Sequence, residues 1–362
     1  LILAVVASVA GADTEKDGKP VTTFAEQDAA ALARGTCVGA VLEKGELALP
    51  KDTSRGTVQG PAVAAIHPFD RVCVSVNAKT PHDATVEVSA RVELDDGTET
   101  DWLGLGCVGN PGEGLPRSSP SLAKEAPVGV AIDTLEVKGG KRGRAVTVLL
   151  ALKSSSAGET PRVRRVAIAA WPHGERDPAE PAGAAHPAWG KVLEVGERSQ
   201  CVEDPKISGR ICSATSLSMV LAFHGFDRKT AEVCDEVLDR RAQIYGNWAL
   251  NVAYAGRLGL DASIVRMGSF RPLEDEIAAG RPVVISHRWE KGELTGAPVE
   301  SSDGHLIVVR GFTKEGDVVV NDPAANPRKG ASIRRTYKRA EIEKTWLERV
   351  DGIAYVISRP KK

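Results

Sequence analysis

The sequence predicts two domains in series, an all-β sandwich followed by an α+β domain. Three observations lead there. The chain has 362 residues, 42% of them hydrophobic, which is more than one typical core uses. From about residue 36 to 172, apolar and polar residues alternate at period two. After about residue 190, helical spacing comes first and strand-like runs follow, the order expected of an α+β domain. The expected boundaries are 20–172 for the β domain, 173–189 for a linker and 190–358 for the second domain.

The chain opens LILAVVASVAGADT, an apolar run too short to span a bilayer. It ends in Ala10-Gly11-Ala12, a small-x-small pattern suited to signal peptidase. With no initiator Met and no basic segment before it, residues 1–12 are expected to be a signal remnant. A secreted or periplasmic protein is expected, with no membrane span.

In the first half, VCVSVNA, ATVEVSARVEL, AVTVLLAL and RVRRVAIAAW read as strands. Turn-rich clusters such as DDGTE and GNPGEGLPRSSP separate them, and that rhythm suggests a sandwich. His67 and His82 each neighbour a proline and read as exposed loop histidines. Asp133, in VAIDTLEV, is a lone carboxylate that suits loop support or a metal. Trp102 and Trp171 suit either a ligand platform or packing on a sheet. Cell wall or another protein is the ligand class considered for this domain. The stretch WPHGERDPAEPAGAAHPAWG, rich in Pro, Ala and Gly, reads as the linker.

In the second half, Ala214, Leu217 and Leu221 fall on one helical face, and Gly225 stands where a C-terminal cap is useful. TAEVCDEVLDRR, WALNVAYAGRLG and PLEDEIAAG read as further helices; RPVVISH, HLIVVRGF and DVVVND read as strands.

Composition narrows the chemistry. With 47 basic and 48 acidic residues the net charge is -1, so nothing favours nucleic acid or anionic lipid as a partner. No His and Cys cluster has metal-ligand spacing, and no glycine-rich phosphate loop with lysine occurs, so neither metal nor cofactor is expected.

What remains is a thiol. Cys212, in SGRICSATSLSMVLAFHG, is expected in the first turn of a helix, where free N–H groups and the dipole stabilise a thiolate. A buried or disulfide-bonded cysteine is the alternative. A cysteine nucleophile needs a base, and the base needs an orienter. His305 begins a strand, and Asp322 ends the next one, across the turn TKEG. Antiparallel pairing would set the two side by side. His224 and His287 are rival bases; the first lies at the wrong end of the helix and the second lacks a following carboxylate. Gln200 is a candidate amide donor for an oxyanion, together with the Cys212 backbone N–H. Of the six cysteines, Cys201 and Cys234 are expected to pair, since export favours oxidation.

The segments ERSQ, CSATS, GNWALNVAYAG, SSDGHLIVVRGF, DVVVNDPAA and YKRAEIEKTWL together resemble stand-alone exported relatives of the double-glycine leader peptidases. These are family thirty-nine of the cysteine peptidases, in the papain-like superfamily. The resemblance covers about 190 to 358. It implies a papain-like α+β domain with Cys212 as nucleophile, His305 as base, Asp322 as orienter and Gln200 as oxyanion donor. The first half resembles the accessory domain that often precedes such peptidase domains. Transporter-borne leader peptidases are fused to membrane spans and an ATPase, and neither pattern occurs here. Gln200 and Cys212 are also separated by a longer loop than is usual.

Three functions are therefore expected in competition. The first is a secreted thiol peptidase acting on a peptide or protein through a thioester. The second is an amidase or acyltransferase using the same residues. The third is a binding protein whose peptidase fold is idle.

Overall fold

The computed structural model describes residues 21–81, 83–109, 127–155, 159–177 and 185–360. The expected signal remnant, His82 and part of the expected linker lie outside these residues.

The first half begins with β1 (Thr23–Asp28) and the single turn α1 (Ala29–Leu32). Five short strands follow: β2 (Thr36–Val38), β3 (Val41–Glu43), β4 (Glu46–Ala48), β5 (Arg55–Gln59) and β6 (Val63–Phe69). Then come β7 (Arg71–Lys79), β8 (Ala84–Leu94), β9 (Leu103–Gly109), β10 (Val128–Ala131), β11 (Thr134–Val137), β12 (Gly143–Ser154) and β13 (Arg162–Trp171). One antiparallel sheet runs β10-β11-β7-β13-β4-β3, with β1 also on β13; the other runs β2-β5-β12-β8-β9, with β6 also on β12. Alternation explains the arrangement. Val86, Val88, Ala90 and Val92 of β8 face inward, as do Val72, Val74 and Val76 of β7, and both sets join one core. Truncating a core Leu such as Leu150 to Ala would cost about 2–5 kcal/mol. His67 lies within β6, exposed, and not in a turn.

The second half carries α2 (Cys212–Phe223), α3 (Thr230–Val237), α4 (Trp248–Arg257), β14 (Asp261–Arg266) and α5 (Arg271–Ala278). The chain then forms β15 (Val283–Trp289), β16 (Ser302–Phe312), β17 (Val318–Asn321), β18 (Arg334–Tyr337), α6 (Arg339–Ile342) and β19 (Ile353–Ser358). The sheet order is β14-β19-β15-β16-β17-β18, antiparallel throughout.

Helix α2 departs from the expected one-faced pattern. Every residue from Ser213 to Leu221 is buried, the serines and Thr215 included. Their hydroxyls are satisfied inside. Thr215 donates to the Ile211 carbonyl at 2.8 Å, Ser218 to the Thr215 carbonyl at 2.7 Å and Ser216 to the Leu306 carbonyl at 2.9 Å. Left unpaired, each such hydroxyl would cost about 1–3 kcal/mol. The helix ends as expected: Gly225 has φ +89, and Phe226 N–H donates to the Leu221 carbonyl at 2.9 Å.

The halves pack directly against each other. The outer edge of β14 would expose backbone groups, and side chains of β7 cover it. Asn77 accepts from Ala262 N–H at 2.9 Å and donates to its carbonyl at 2.7 Å, while Ser75 Oγ accepts from Ile264 N–H at 2.8 Å. A Cβ on Gly256 would stand 2.8 Å from the Asn77 Cα, so the glycine lets α4 approach β7. The described ends of the 173–189 stretch are also fastened. His173 Nδ1 lies 2.6 Å from Asp351 Oδ2, and Trp189 Nε1 donates to Glu274 at 2.6 Å. Trp171 is buried and donates to Asp351 at 3.1 Å, a packing role. Trp102 is half-buried under the Arg91 guanidinium.

No helix among the described residues is long and apolar enough to cross a membrane.

Candidate active site

Cys212 is the first residue of α2, and no side chain caps the turn before it. The backbone N–H groups there lack helical partners and favour negative charge nearby. Burial pushes the Cys212 thiol up. The hydrogen bond and charge of His305, with the N–H groups of Leu306 and Ser213, outweigh burial and bring the thiol below its ordinary value. Cys212 is partly exposed, unlike Cys73 and Cys234, whose burial raises them instead.

His305 is placed by β16, which runs between β15 and β17. Its Nε2 bonds to Asp322 Oδ1 at 2.8 Å, which leaves the other ring nitrogen for the Cys212 sulfur. Burial alone would lower His305; the Asp322 carboxylate and Cys212 reverse that and raise it well above an ordinary imidazole. Asp322 is fully buried just past the end of β17. Its Oδ1 also accepts from Ala324 N–H at 2.9 Å, and its Oδ2 accepts from Tyr337 Oη at 2.7 Å. Those donors, led by His305, hold the carboxyl well below the usual range despite its burial. His305 and Asp322 are thus hydrogen-bonded across β16 and the end of β17, and the His305 ring acts on the Cys212 thiol at the start of α2.

Two residues not anticipated from the sequence stiffen this series. Tyr337, on β18, saturates Asp322, and nothing in the run RRTY signals that its tyrosine points inward. Ser216 ties α2 to β16 by bonding the Leu306 carbonyl, beside the Leu306 N–H that faces Cys212. A helical wheel places Ser216 one turn beyond Cys212, but nothing in the sequence says what it meets.

Gln200 is held in the same neighbourhood by a clamp of two loops. Its backbone N–H donates to the Pro323 carbonyl at 2.9 Å. Ser199 Oγ donates to the Ala325 carbonyl at 2.6 Å, and Cys201 Sγ to the Ala324 carbonyl at 3.2 Å. The Gln200 amide donates to the Ser208 carbonyl at 2.8 Å, while its Oε1 is buried without a partner. The clamp also corrects an expectation. Cys201 and Cys234 are both free thiols, because Cys201 turns to the Ala324 carbonyl and Cys234 packs inward from α3.

The rival bases sit elsewhere. His224 Nε2 donates to the Ile357 carbonyl at 3.0 Å. His287 lies opposite His305 in the strand register, fully buried, and burial with the nearby His305 charge holds it down to about 3. A histidine so held stays neutral and does not compete for the thiol proton. Among the described residues no group of three or more His, Cys, Asp or Glu could hold a metal ion.

A β-rich domain thus docks on a domain that brings a thiol, an imidazole and a carboxylate together. Residues 192–352 match the Peptidase C39 like family, and residues 20–170 match the Peptidase C39 N-terminal domain. The two matches fall one on each half of the chain and together span most of it. Among solved structures, the chain is similar to a putative C39-like peptidase from Bacillus anthracis, at 20% identity and TM-score 0.37. That match covers 48% of this chain and 99% of the other. The double glycine motif protease of an AMS/PCAT transporter, solved with its leader peptide, matches at 20% identity and TM-score 0.31, covering 47% and 95%. The peptidase domain of Streptococcus ComA matches at 15% identity and TM-score 0.32, covering 47% and 99%. No curated protein matches the chain.

Proposed function

We propose that the protein is a thiol peptidase that hydrolyses a peptide bond through a thioester on Cys212. In this reading, residues 190–358 are a papain-like domain and residues 20–172 a β-sandwich accessory domain. The observation that carries the reading is Cys212 at the start of α2 acted on by His305, whose ring is bonded to the buried Asp322 at 2.8 Å, an arrangement that lowers the thiol. A structural cysteine gains nothing from such a pair, whereas a nucleophile needs it.

The pairing of His305 with Asp322 and its pull on the Cys212 thiol support the following steps. The Cys212 thiolate attacks the carbonyl carbon, and the carbonyl oxygen takes up the negative charge. The Cys212 backbone N–H and the second amide hydrogen of Gln200 stabilise that oxyanion. His305, an imidazolium beside Asp322, protonates the leaving amine as the C–N bond breaks. His305 is then neutral and takes a proton from water, which attacks the thioester and releases the carboxylic acid and the thiolate. Asp322 keeps the ring in one tautomer and orientation throughout.

Incubating the protein with a degenerate peptide library, with and without an added amine, tests this. New carboxyl termini that require Cys212 support it. Amide products in place of acids would make the enzyme an acyltransferase, and no reaction with a Cys212-dependent product would leave the idle-fold reading standing. Export is part of the proposal, supported by the apolar run ending at Ala10-Gly11-Ala12. A mature N-terminus beyond Ala12 on protein recovered outside the cytoplasm is the expected result, and an intact run on cytoplasmic protein contradicts it.

A further inference from the structure

The hairpin of β10 and β11 belongs to the first half, yet its tip ends against the second. Its turn is Ile132-Asp133, and Ile132 is held at φ +61, a left-handed conformation that a β-branched residue rarely adopts. That turn aims Asp133 away from its own sheet. The side chain is nearly buried, and its Oδ2 accepts from the Trp248 N–H, across 115 positions of sequence. Trp248 is the first residue of α4, and Asn247 before it caps Leu250 N–H at 3.1 Å. Two acceptors, one from each half of the chain, therefore serve the start of one helix.

Helix α4 carries Asn251, buried and fully engaged. Its amide donates to the Tyr245 and Asn247 carbonyls at 2.8 and 2.7 Å, and its Oδ1 accepts from Ser213 Oγ at 3.0 Å. Ser213 Oγ also lies 3.1 Å from Tyr355 Oη on β19. Ser213 follows Cys212 in the first turn of α2, and its backbone N–H contributes to lowering the thiol.

We propose that Asp133 is a positioning residue for the active thiol: it fixes the start of α4, α4 fixes Asn251, and Asn251 holds Ser213 so that its backbone N–H meets the Cys212 sulfur. The N-terminal domain is then part of the machinery of the second half and not only an appendage to it. The inference rests on Cys212 being the nucleophile. A hairpin that only glued the two domains together would leave the thiol unchanged when cut.

The test is the rate at which iodoacetamide labels Cys212, followed on the Cys212 peptide by mass spectrometry across pH. Asp133→Ala is expected to slow labelling about fivefold at mildly acidic pH and to move the midpoint upward. Asp133→Asn keeps an oxygen for the Trp248 N–H and is expected to restore the wild-type midpoint. Ser213→Ala cuts the far end of the series without touching the hairpin, and it is expected to behave as Asp133→Ala does. It keeps the test open if Asp133→Ala fails to fold. Removing the exposed ion pair of Asp96 and Lys141 with Asp96→Ala is the control and is expected to change nothing. An ordinary thiol midpoint in the wild type overturns the nucleophile reading and this one with it. A low midpoint that neither Asp133→Ala nor Ser213→Ala moves overturns this inference alone.

Discussion

His305 on β16 and Asp322 just past β17 are joined at 2.8 Å, and the carboxylate that orients the ring is itself closed off by Ala324 N–H and Tyr337 Oη. The ring therefore has one orientation available. His305→Ala is expected to lower turnover on the order of 10²–10⁴-fold while the protein stays folded. Asp322→Asn should lose less, because it weakens orientation and leaves the base in place. Steady-state rates on one peptide, with melting curves for each variant, check the order of these losses.

Tyr337→Phe leaves one buried carboxylate oxygen of Asp322 without a donor. The expected cost is about 1–3 kcal/mol of stability, seen as a lower melting temperature. An unchanged melting temperature would mean that the hydroxyl is replaced by water or was never bonded.

The pH profile follows from two opposite shifts. Cys212 is lowered below an ordinary thiol, and His305 is raised above an ordinary imidazole. Between them lies a window in which thiolate and imidazolium coexist. Turnover is expected to rise through an acid limb below the ordinary thiol range, as the thiolate forms. It should fall through an alkaline limb above the ordinary imidazole range, as His305 loses its proton. The same raised histidine stabilises the fold below its unfolded pKa, and that contribution is lost as pH rises through the folded value.

Gln200 is clamped by backbone, so removing its side chain should spare the fold. Gln200→Ala is expected to lower kcat on the order of 10²-fold with little change in KM, as loss of an oxyanion donor does. A change confined to KM would assign Gln200 to substrate binding.

Asp133 offers a test of linkage. Burial raises its carboxyl from 3.8 to about 7, against the donors Trp248 N–H and Thr134, and with Asp239 adding repulsion. Tyr355 and Cys73 are the other titratable groups that it faces. Because the folded value lies above the unfolded one, stability from this group is full below the unfolded value. It is lost as pH rises through about 7. The melting temperature of the wild type should therefore fall relative to Asp133→Asn over that interval. A constant difference would show that Asp133 does not titrate there.

Much of this was legible in the sequence where a single segment carries its own pattern. The period-two runs at β7, β8, β12 and β13, the Gly225 cap and the strand pair holding His305 and Asp322 needed only local spacing. Strands β14, β18 and β19 went unread, since short runs such as RRTY show their inward face only once a neighbour exists. The polar burial of α2 was hidden for a related reason. Ser213 and Ser216, one turn apart, read as ordinary polar helix positions until α4 and β16 supply their partners. In the sequence Asp133 is a lone carboxylate, because its partner across the domains, Trp248 N–H, lies 115 positions away and no spacing rule reaches that far.

The central claim is that Cys212 is the nucleophile, and one comparison tests it most directly. Wild type, Cys212→Ala and His305→Ala are incubated with the same degenerate peptide library, and new termini are counted by mass spectrometry. The account predicts cleavage by the wild type, loss of cleavage in both variants with melting curves like the wild type, and inhibition by thiol alkylation but not by EDTA. Full cleavage by Cys212→Ala of a peptide that the wild type cleaves would contradict it.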